Sequence, residues 1–193
     1  SITGYLGVIA EEVDRLNRIV VDFLFAVRPM NIQLEETDLN LVIRELTEFL
    51  KFELREAGVS LELQLAEKLP KLLIDDKYFK QALLNLIQNS ISAMHGGGTL
   101  ILETVRRSGD VLCKVSDSGS GIPVDIMDKI FEPYFTTKEF GSGLGLTLVY
   151  KIIKEHDAEI SVVSREGKGT TFTITLAVPQ PDKKLIGYGG EEE

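Results

Sequence analysis

Three amide side chains recur at intervals of four residues in the segment after Asp76. They are Gln81, Asn85 and Asn89, and this interval places side chains on one face of an α-helix. Asparagine is a mediocre helix former, so its repetition favours a role beyond helix formation. An amide oxygen is a hard ligand suited to Mg²⁺, and an amide N–H can donate to phosphate. A solvated polar face is the alternative, and the amides alone do not separate the two.

One acidic side chain continues an apolar row. Val111, Cys113, Val115 and Asp117 alternate along a predicted strand and therefore share one of its sides. A carboxylate on the inward side carries a desolvation penalty unless donors meet it. The exocyclic amine of adenine is such a donor, so Asp117 is a candidate for base recognition. The alternative is an aspartate that caps the turn after it.

Glycine is concentrated in two short segments. Gly119 and Gly121 follow Asp117 directly, and they allow a tight turn or a close approach of backbone to a flat ligand. Residues 141–146 (Gly-Ser-Gly-Leu-Gly-Leu) open a predicted helix, and the unpaired N–H groups of a helix N-terminus bind anions. This second segment lacks the Gly-Lys-Ser/Thr ending of a P-loop. It also follows a loop rather than a strand, so it is not a dinucleotide fingerprint.

An aromatic loop separates the two glycine segments. Residues 131–138 (Phe-Glu-Pro-Tyr-Phe-Thr-Thr-Lys) cluster three aromatic rings around one proline, which indicates a hydrophobic anchor for a mobile loop. Lys138 at its end has a side chain long enough to reach a terminal phosphate. A surface lysine in a flexible loop is the alternative.

The surrounding pattern alternates helix and strand, which predicts a two-layer α/β sandwich. Helices are predicted at 39–56, 76–94 and 143–156, with a short helix after Pro123. Predicted strands, forming a largely antiparallel sheet, are 59–65, 72–74, 99–106, 111–117, 160–164 and 170–178.

Composition excludes several function classes. The net charge of −9 leaves no basic surplus for nucleic acid phosphates or an anionic membrane. Cys113 is the single cysteine, and no Cys/His cluster has metal-ligand spacing. No apolar run is long enough to span a bilayer. We therefore expect a cytoplasmic setting, with no nucleic acid and no membrane contact by this chain, although the full-length protein could be membrane-anchored upstream.

Residues 2–27 carry a heptad pattern, with apolar residues at alternating steps of four and three. Such a seam predicts a helix packed against a near-parallel or antiparallel helix, and a surface helix on a globular domain is the alternative. The pattern already runs at Ser1 without a cap, so we expect a fragment of a longer protein. The seam positions are Ile2, Leu6, Ile9, Val13, Leu16, Val20, Phe23 and Val27.

Taken in order, these segments resemble the catalytic half of two-component sensor histidine kinases. The resemblance covers roughly residues 39–178, and several motifs in order are far more specific than any one of them. Residues 1–30 resemble the second helix of the dimerisation hairpin that precedes this domain in the family. The matching motifs are the N box at 85–89, the first glycine box at 117–121, the F box at 131–135, the second glycine box at 141–146 and the closing strand at 167–172.

The resemblance implies a Bergerat-type ATP-binding fold with ATP and Mg²⁺ as cofactors. Asn89 would hold Mg²⁺, and Asn85, Asn89 and Lys138 would serve catalysis. Asp117 would bind the adenine amino group with support from Thr170, and residues 131–141 would form a lid over the nucleotide. The implied nucleotide-binding positions are Asn85, Asn89, Asp117, Gly119, Gly121, Ile122, Phe131, Thr137, Lys138, Gly141, Ser142, Gly143, Leu144, Gly145, Leu146 and Thr170.

One position separates branches of this superfamily. ATP-hydrolysing relatives carry a Glu where this chain has Asn85, and an amide does not act as a general base near neutral pH. The resemblance therefore implies phosphoryl transfer rather than hydrolysis. Ser92 replaces a basic residue that is common in the family, and Asp157-Ala158 replaces a common Gly-Gly.

The family's phosphoacceptor motif is absent from the sequence. Only His95 and His156 are present, and neither has a His-Glu/Asp-x-x-x-Pro context. The resemblance thus predicts a kinase domain that phosphorylates a histidine upstream of Ser1, for onward transfer to a response regulator receiver domain, within a full-length homodimer. A nucleotide-gated binding module and a serine kinase are the alternatives. The expected organisation is a hairpin helix at 1–30, a linker at 31–38, the catalytic domain at 39–178 and a polar tail at 179–193.

Overall fold

The computed structural model describes Val13, Val20, residues 30–138 and residues 142–179. Val13 and Val20 are helical and are 57% and 52% exposed. The other positions of the predicted heptad seam lie outside the described residues, as do residues 139–141 and most of the predicted tail.

The strands of the described ranges are β1 (Glu35–Thr37), β2 (Val59–Leu65), β3 (Leu72–Ile74), β4 (Gly98–Arg107), β5 (Asp110–Asp117), β6 (Glu159–Arg165) and β7 (Gly169–Ala177). Five of them form one mixed sheet, in the order β2-β4-β5-β7-β6. The pairing of β2 with β4 is parallel, and the remaining pairs of this sheet are antiparallel. A separate antiparallel pair joins β1 to β3.

The helices of the described ranges are α1 (Leu39–Phe49), α2 (Lys51–Glu56), α3 (Asp76–Ala93) and α4 (Gly145–Glu155), with a 3-10 helix at Val124–Lys129. Acidic side chains cap two of them. Asp38 accepts from Asn40 N and Leu41 N at the start of α1, and Asp75 accepts from Tyr78 N at the start of α3.

The core lies between the sheet and the helices. Burial alternates along β5 and β7, so every second residue of each strand faces α3 and α4. The two-layer α/β sandwich predicted from the sequence is therefore confirmed. Fully buried side chains along this contact include Phe79, Leu83, Leu86, Ile87, Val111, Cys113, Val115, Val149, Ile152, Ile153 and Ile174.

Two local details differ from the expectation. The predicted linker 31–38 contains β1, which pairs with β3. Main-chain hydrogen bonds form this pairing, and the Glu-Glu-Thr sequence of β1 does not predict it. The helix predicted at 39–56 is interrupted at Leu50, whose φ and ψ are −85° and 0°. The interruption keeps Leu50 and Leu54 in the core.

His156 links α4 to α3. Its Nε2 accepts from Asp75 N at 3.0 Å, and its Nδ1 lies 2.7 Å from Ile152 O. Because a backbone N–H can only donate, Nε2 is the acceptor, and the tautomer that satisfies both contacts carries its proton on Nδ1. His156 therefore holds the C-terminus of α4 against the N-terminus of α3. The following Asp157 has a φ of +51°, which is the left-handed turn that the family's common glycine would adopt more easily.

Candidate nucleotide-binding site

The amide of Asn85 faces the N-terminus of α4. Its Nδ2 donates to Gln81 O at 2.9 Å, which fixes the side chain along α3. A Cβ added at Gly145, the first residue of α4, would lie 3.1 Å from Asn85 Oδ1. Asparagine and glycine thus fit together at the place where the unpaired N–H groups of α4 begin.

Asn89 lies one turn further along α3 and contacts a cation. Its Oδ1 accepts from Lys138 Nζ at 3.0 Å. Lys138 as a whole residue is exposed, but partial desolvation of its ammonium group lowers the pKa of this lysine below its ordinary value. Asn89 and Lys138, predicted separately from the sequence, are therefore brought together.

The donor set around Asn89 fits a metal ion that arrives with phosphate. Asn89 Oδ1 is a hard oxygen already directed at a positive charge. Among the described residues, no group of three or more His, Cys, Asp or Glu side chains could hold a metal ion by itself. Mg²⁺ commonly takes one or two protein oxygens together with substrate phosphates and water, which matches this arrangement.

Asp117 ends β5 and is surrounded by donors. Its Oδ1 accepts from Gly119 N at 2.9 Å and from Thr170 N at 3.3 Å, and its Oδ2 accepts from Ser90 Oγ at 3.0 Å. The turn-capping alternative thus holds through Gly119. Each carboxylate oxygen offers about two acceptor positions, so one position remains at Oδ2 after these contacts of the described residues are counted.

The first glycine segment is held tightly between α3 and the β6–β7 turn. Ser120 N donates to Ala93 O at 3.0 Å, and Ile122 N donates to Ser164 Oγ at 2.8 Å. A Cβ added at Gly119 would lie 2.7 Å from Ala93 O, so this close approach requires glycine. Gly121 has a φ of +71°, a conformation that other residues rarely adopt.

The second glycine segment leads into α4. Gly143 has a φ of +68°, and its carbonyl accepts from Tyr134 N at 3.0 Å. Leu144 N donates to Ser142 Oγ at 3.3 Å, while the Leu144 side chain is 1% exposed. The Leu144 side chain therefore belongs to the core and does not reach a ligand. Leu146 is half-buried against the core, and the predicted position Gly141 lies outside the described residues.

Phe131 makes the anchor contacts of the aromatic loop. Its ring centroid lies 5.5 Å from that of Tyr150 and 6.4 Å from that of Phe172. Its carbonyl accepts from Thr147 Oγ1 at 3.2 Å, so the loop is fastened to α4. Thr137, another predicted position, is exposed near the end of this described stretch.

Two serines of the site were missed by the sequence analysis. Ser90 donates to Asp117, and Ser164 links Ile122 N to Thr170 Oγ1, which lies 2.9 Å from Ser164 Oγ. Ser90 could have been found, because it lies on the apolar stripe of α3, three residues after Ile87. Ser92, which replaces a basic residue common in the family, is exposed and donates to Gln88 O at 2.8 Å.

Comparison with known proteins agrees with this geometry. Residues 74–180 match the family model described as histidine kinase-, DNA gyrase B-, and HSP90-like ATPase. The matched range is more than half of the chain and contains the site from Asn85 to Thr170. The chain belongs to this family. The resemblance inferred from the sequence motifs is thereby confirmed, and the domain is an ATP-binding one.

Within the family, the similar proteins are sensor histidine kinases. The chain is 39% identical over 171 residues to sensor histidine kinase ZraS of Escherichia coli strain K12, covering 89% of this chain and 37% of ZraS. It is 32% identical to the nucleotide-free catalytic domain of histidine kinase ThkA, with a TM-score of 0.69, covering 75% of this chain and 95% of that one. The chain thus spans little more than a third of the length of ZraS.

Two complexes of similar proteins are also known. Full-length ShkA in complex with AMPPNP is 25% identical, with a TM-score of 0.81 over 93% of this chain and 40% of that one. ThkA in complex with the response regulator protein TrrA is 29% identical, with a TM-score of 0.80 over 93% of this chain and 52% of that one. Among the described residues, no helix is long and apolar enough to cross a membrane.

Proposed function

We propose that this chain is the catalytic domain of a sensor histidine kinase, which binds ATP with Mg²⁺ and transfers the γ-phosphoryl group to a histidine outside the chain. The observation that carries the proposal is that α3 contacts both the candidate group for base recognition and the candidate groups for phosphate binding. Ser90 on this helix meets the Asp117 carboxylate, whereas Asn85 and Asn89 meet the start of α4 and Lys138. The candidate group for base recognition and the candidate groups for phosphate binding therefore contact the same short stretch of α3, residues 85–90.

Base recognition follows from the acceptor left at Asp117. An adenine presents its exocyclic N–H to Oδ2, and a hydrogen bond to an ionised carboxylate is roughly twice as strong as a neutral one. Gly119 and Gly121 carry no side chains at this point, so backbone forms the wall of the base pocket. Ile122 is held beside it by its backbone bond to Ser164.

The phosphate end combines three kinds of positive group. The α4 N-terminus offers the backbone N–H groups of its first turn, which begins at Gly145, and Lys138 offers an ammonium. Asn89 Oδ1 provides a ligand for Mg²⁺, which when bound supplies charge neutralisation at the phosphate oxygens. These groups favour the transition state of phosphoryl transfer mainly by positioning and by electrostatic stabilisation.

Asn85 determines which acceptor the site serves. Its Nδ2 is used in the bond to Gln81 O, and an amide does not remove a proton from water. Transfer to an incoming histidine nitrogen needs no such base, because the neutral imidazole is itself a nucleophile. A phosphorus–nitrogen bond forms as the bond to the bridging oxygen breaks, and ADP leaves with that electron pair.

The assembly around the domain follows from the same proposal. The phosphohistidine would pass its phosphoryl group to an aspartate on a response regulator receiver domain, a partner class supported by the complex of ThkA with TrrA. Residues 1–30 would belong to a dimerisation hairpin of a homodimer, whose exposed Val13 and Val20 fit an unpaired helical seam. The domain would act in the cytoplasm.

A transfer assay tests the proposal. The chain is incubated with γ-labelled ATP, Mg²⁺ and a separate hairpin fragment that carries the acceptor histidine. We expect label on the fragment that is lost in acid and kept in base, as a phosphoramidate requires, and none when its histidine is replaced by Gln. Hydrolysis of ATP without labelled fragment would contradict kinase function and favour a nucleotide-gated module.

A further inference from the structure

Ser90 differs from the other serine in the C-terminal half of α3. Ser92 is exposed and donates to Gln88 O in its own helix, which is the ordinary behaviour of a serine in a helix. Ser90 is 1% exposed and donates instead across to Asp117 Oδ2, at 3.0 Å. Its hydroxyl is thus committed to a strand neighbour rather than to its own backbone.

The two oxygens of Asp117 are held in different ways. Oδ1 accepts from Gly119 N and Thr170 N, and both donors are main-chain groups set by the turn and by the pairing of β5 with β7. Oδ2 accepts from Ser90 Oγ, which is a side-chain donor. Backbone donors therefore hold Oδ1, whereas the acceptor position left open at Oδ2 depends on where the Ser90 hydroxyl lies.

From this arrangement we propose that Ser90 is a positioning residue for base selectivity. The inference rests on the proposed binding of ATP at Asp117. With one acceptor position of Oδ2 filled by Ser90, the other is directed at a single point, where a 6-amino group donates. A guanine base places a carbonyl oxygen at that point, and two acceptors facing each other repel. Ser90 thus sharpens the preference for a 6-aminopurine without touching the base.

A purely structural role for Ser90 makes a different prediction. If the hydroxyl only satisfied a half-buried carboxylate, its removal would change the stability of the fold and affect all nucleotides alike. A positioning role affects the nucleotide that uses the 6-amino group and spares one that lacks it. The ratio of two affinities therefore separates the roles.

Calorimetric titration of Ser90→Ala supplies this ratio. The nucleotides are ATP, GTP and purine riboside triphosphate, which has hydrogen in place of the 6-amino group. We expect Ser90→Ala to weaken ATP binding by about 5- to 20-fold, less than the roughly 10- to 150-fold of one whole hydrogen bond to a charged group, because the contact is misaligned rather than removed. Purine riboside triphosphate should change less than about 2-fold, and the discrimination against GTP should fall with ATP affinity.

The matched control is Ser92→Ala, which removes the same hydroxyl from the same helix and should leave all three affinities unchanged. If Ser90→Ala does not fold, Ser90→Cys retains the volume with a weaker donor and should show the same loss of selectivity. Equal weakening of ATP and purine riboside triphosphate would overturn the positioning role while leaving ATP binding intact. If the wild-type protein binds ATP no better than purine riboside triphosphate, Asp117 does not contact the 6-amino group. That result would contradict the adenine site of the proposed function rather than the role of Ser90 alone.

Discussion

At the scale of single residues, the site is defined by how few groups remain available to a ligand. Asp117 retains one acceptor position after its contacts with Ser90, Gly119 and Thr170. Asn85 has committed its N–H to Gln81, so its oxygen faces the start of α4. Such pre-organisation limits the ways a nucleotide can bind and therefore favours one orientation.

Replacement of Lys138 by Met tests the part of the site proposed to bind the phosphates. The ammonium lies 3.0 Å from Asn89 Oδ1, where it can meet a terminal phosphate. We expect ATP affinity to fall by about 10-fold and ADP affinity by less than about 3-fold, because one charge-assisted hydrogen bond is lost only with ATP. Lys168→Met, which removes an exposed lysine from the β6–β7 turn, is the control for net charge.

The same lysine should make the preference for ATP over ADP depend on pH. Burial lowers the pKa of Lys138, and only its protonated form carries the positive charge. The wild-type advantage for ATP over ADP should therefore decline as pH rises through this lowered pKa, and at a lower pH than for an ordinary lysine. The Lys138→Met protein should show no such decline, and a surface lysine without a role would leave the two profiles superimposed.

At the scale of elements, the nucleotide loops are held by close contacts that require glycine. Gly121 and Gly167 have nearly equal φ values of +71° and +72°. A Cβ at Gly121 would collide with the backbone of Arg165, whereas a Cβ at Gly167 would meet nothing within 4 Å. The two positions thus share the same conformational strain and differ in steric contact.

Alanine substitutions at these two glycines isolate the contact. Gly167→Ala should lower the free energy of unfolding by about 1–2 kcal/mol through backbone strain. Gly121→Ala should lose clearly more and should also weaken ATP binding, because the loop after Asp117 must move. Urea unfolding of both variants measures the difference. Equal losses would mean that the turn at Gly121 can relax without cost.

The sequence predicted elements better where side chains decide the structure. The alternation of Val111, Cys113 and Val115 predicts β5, and the aspartates at the start of α3 predict its N-terminal cap. By contrast, β1 forms through pairing with β3, which no local pattern of Glu35–Thr37 indicates. Asp117 was selected from its position in an apolar row, but its partner Ser90 depends on how α3 crosses β5, which is a tertiary fact.

At the scale of the whole molecule, a single thiol reports on the core. Cys113 is fully buried at the centre of the sheet, and burial raises its pKa to about 12. We expect negligible reaction with a thiol reagent at pH 8 until the domain opens, and reaction then follows the population of the open state. Nucleotide at about 100 times its Kd should slow labelling by about 100-fold. Rapid labelling of Cys113 at a rate that nucleotide does not change would contradict a link between nucleotide binding and the stability of this core.

The domain also has to be considered as part of a larger assembly. It spans 37% of the length of ZraS, and the proposed acceptor histidine belongs to a segment outside this chain. Nucleotide binding can therefore be measured on this chain alone, whereas phosphoryl transfer requires a second component. Binding is accordingly the more direct test of the proposed nucleotide site.

The decisive measurement is calorimetric titration of Mg²⁺–ATP into the wild-type chain and into Asp117→Asn. An amide presents an N–H where the carboxylate offers an acceptor, so we predict binding by the wild type and an affinity at least about 10-fold weaker in the variant. Asp128→Asn, the same change at an exposed aspartate of the 3-10 helix, should bind as the wild type does. Equal affinities for all three proteins would contradict adenine recognition at Asp117 and, with it, the nucleotide site described for this fold.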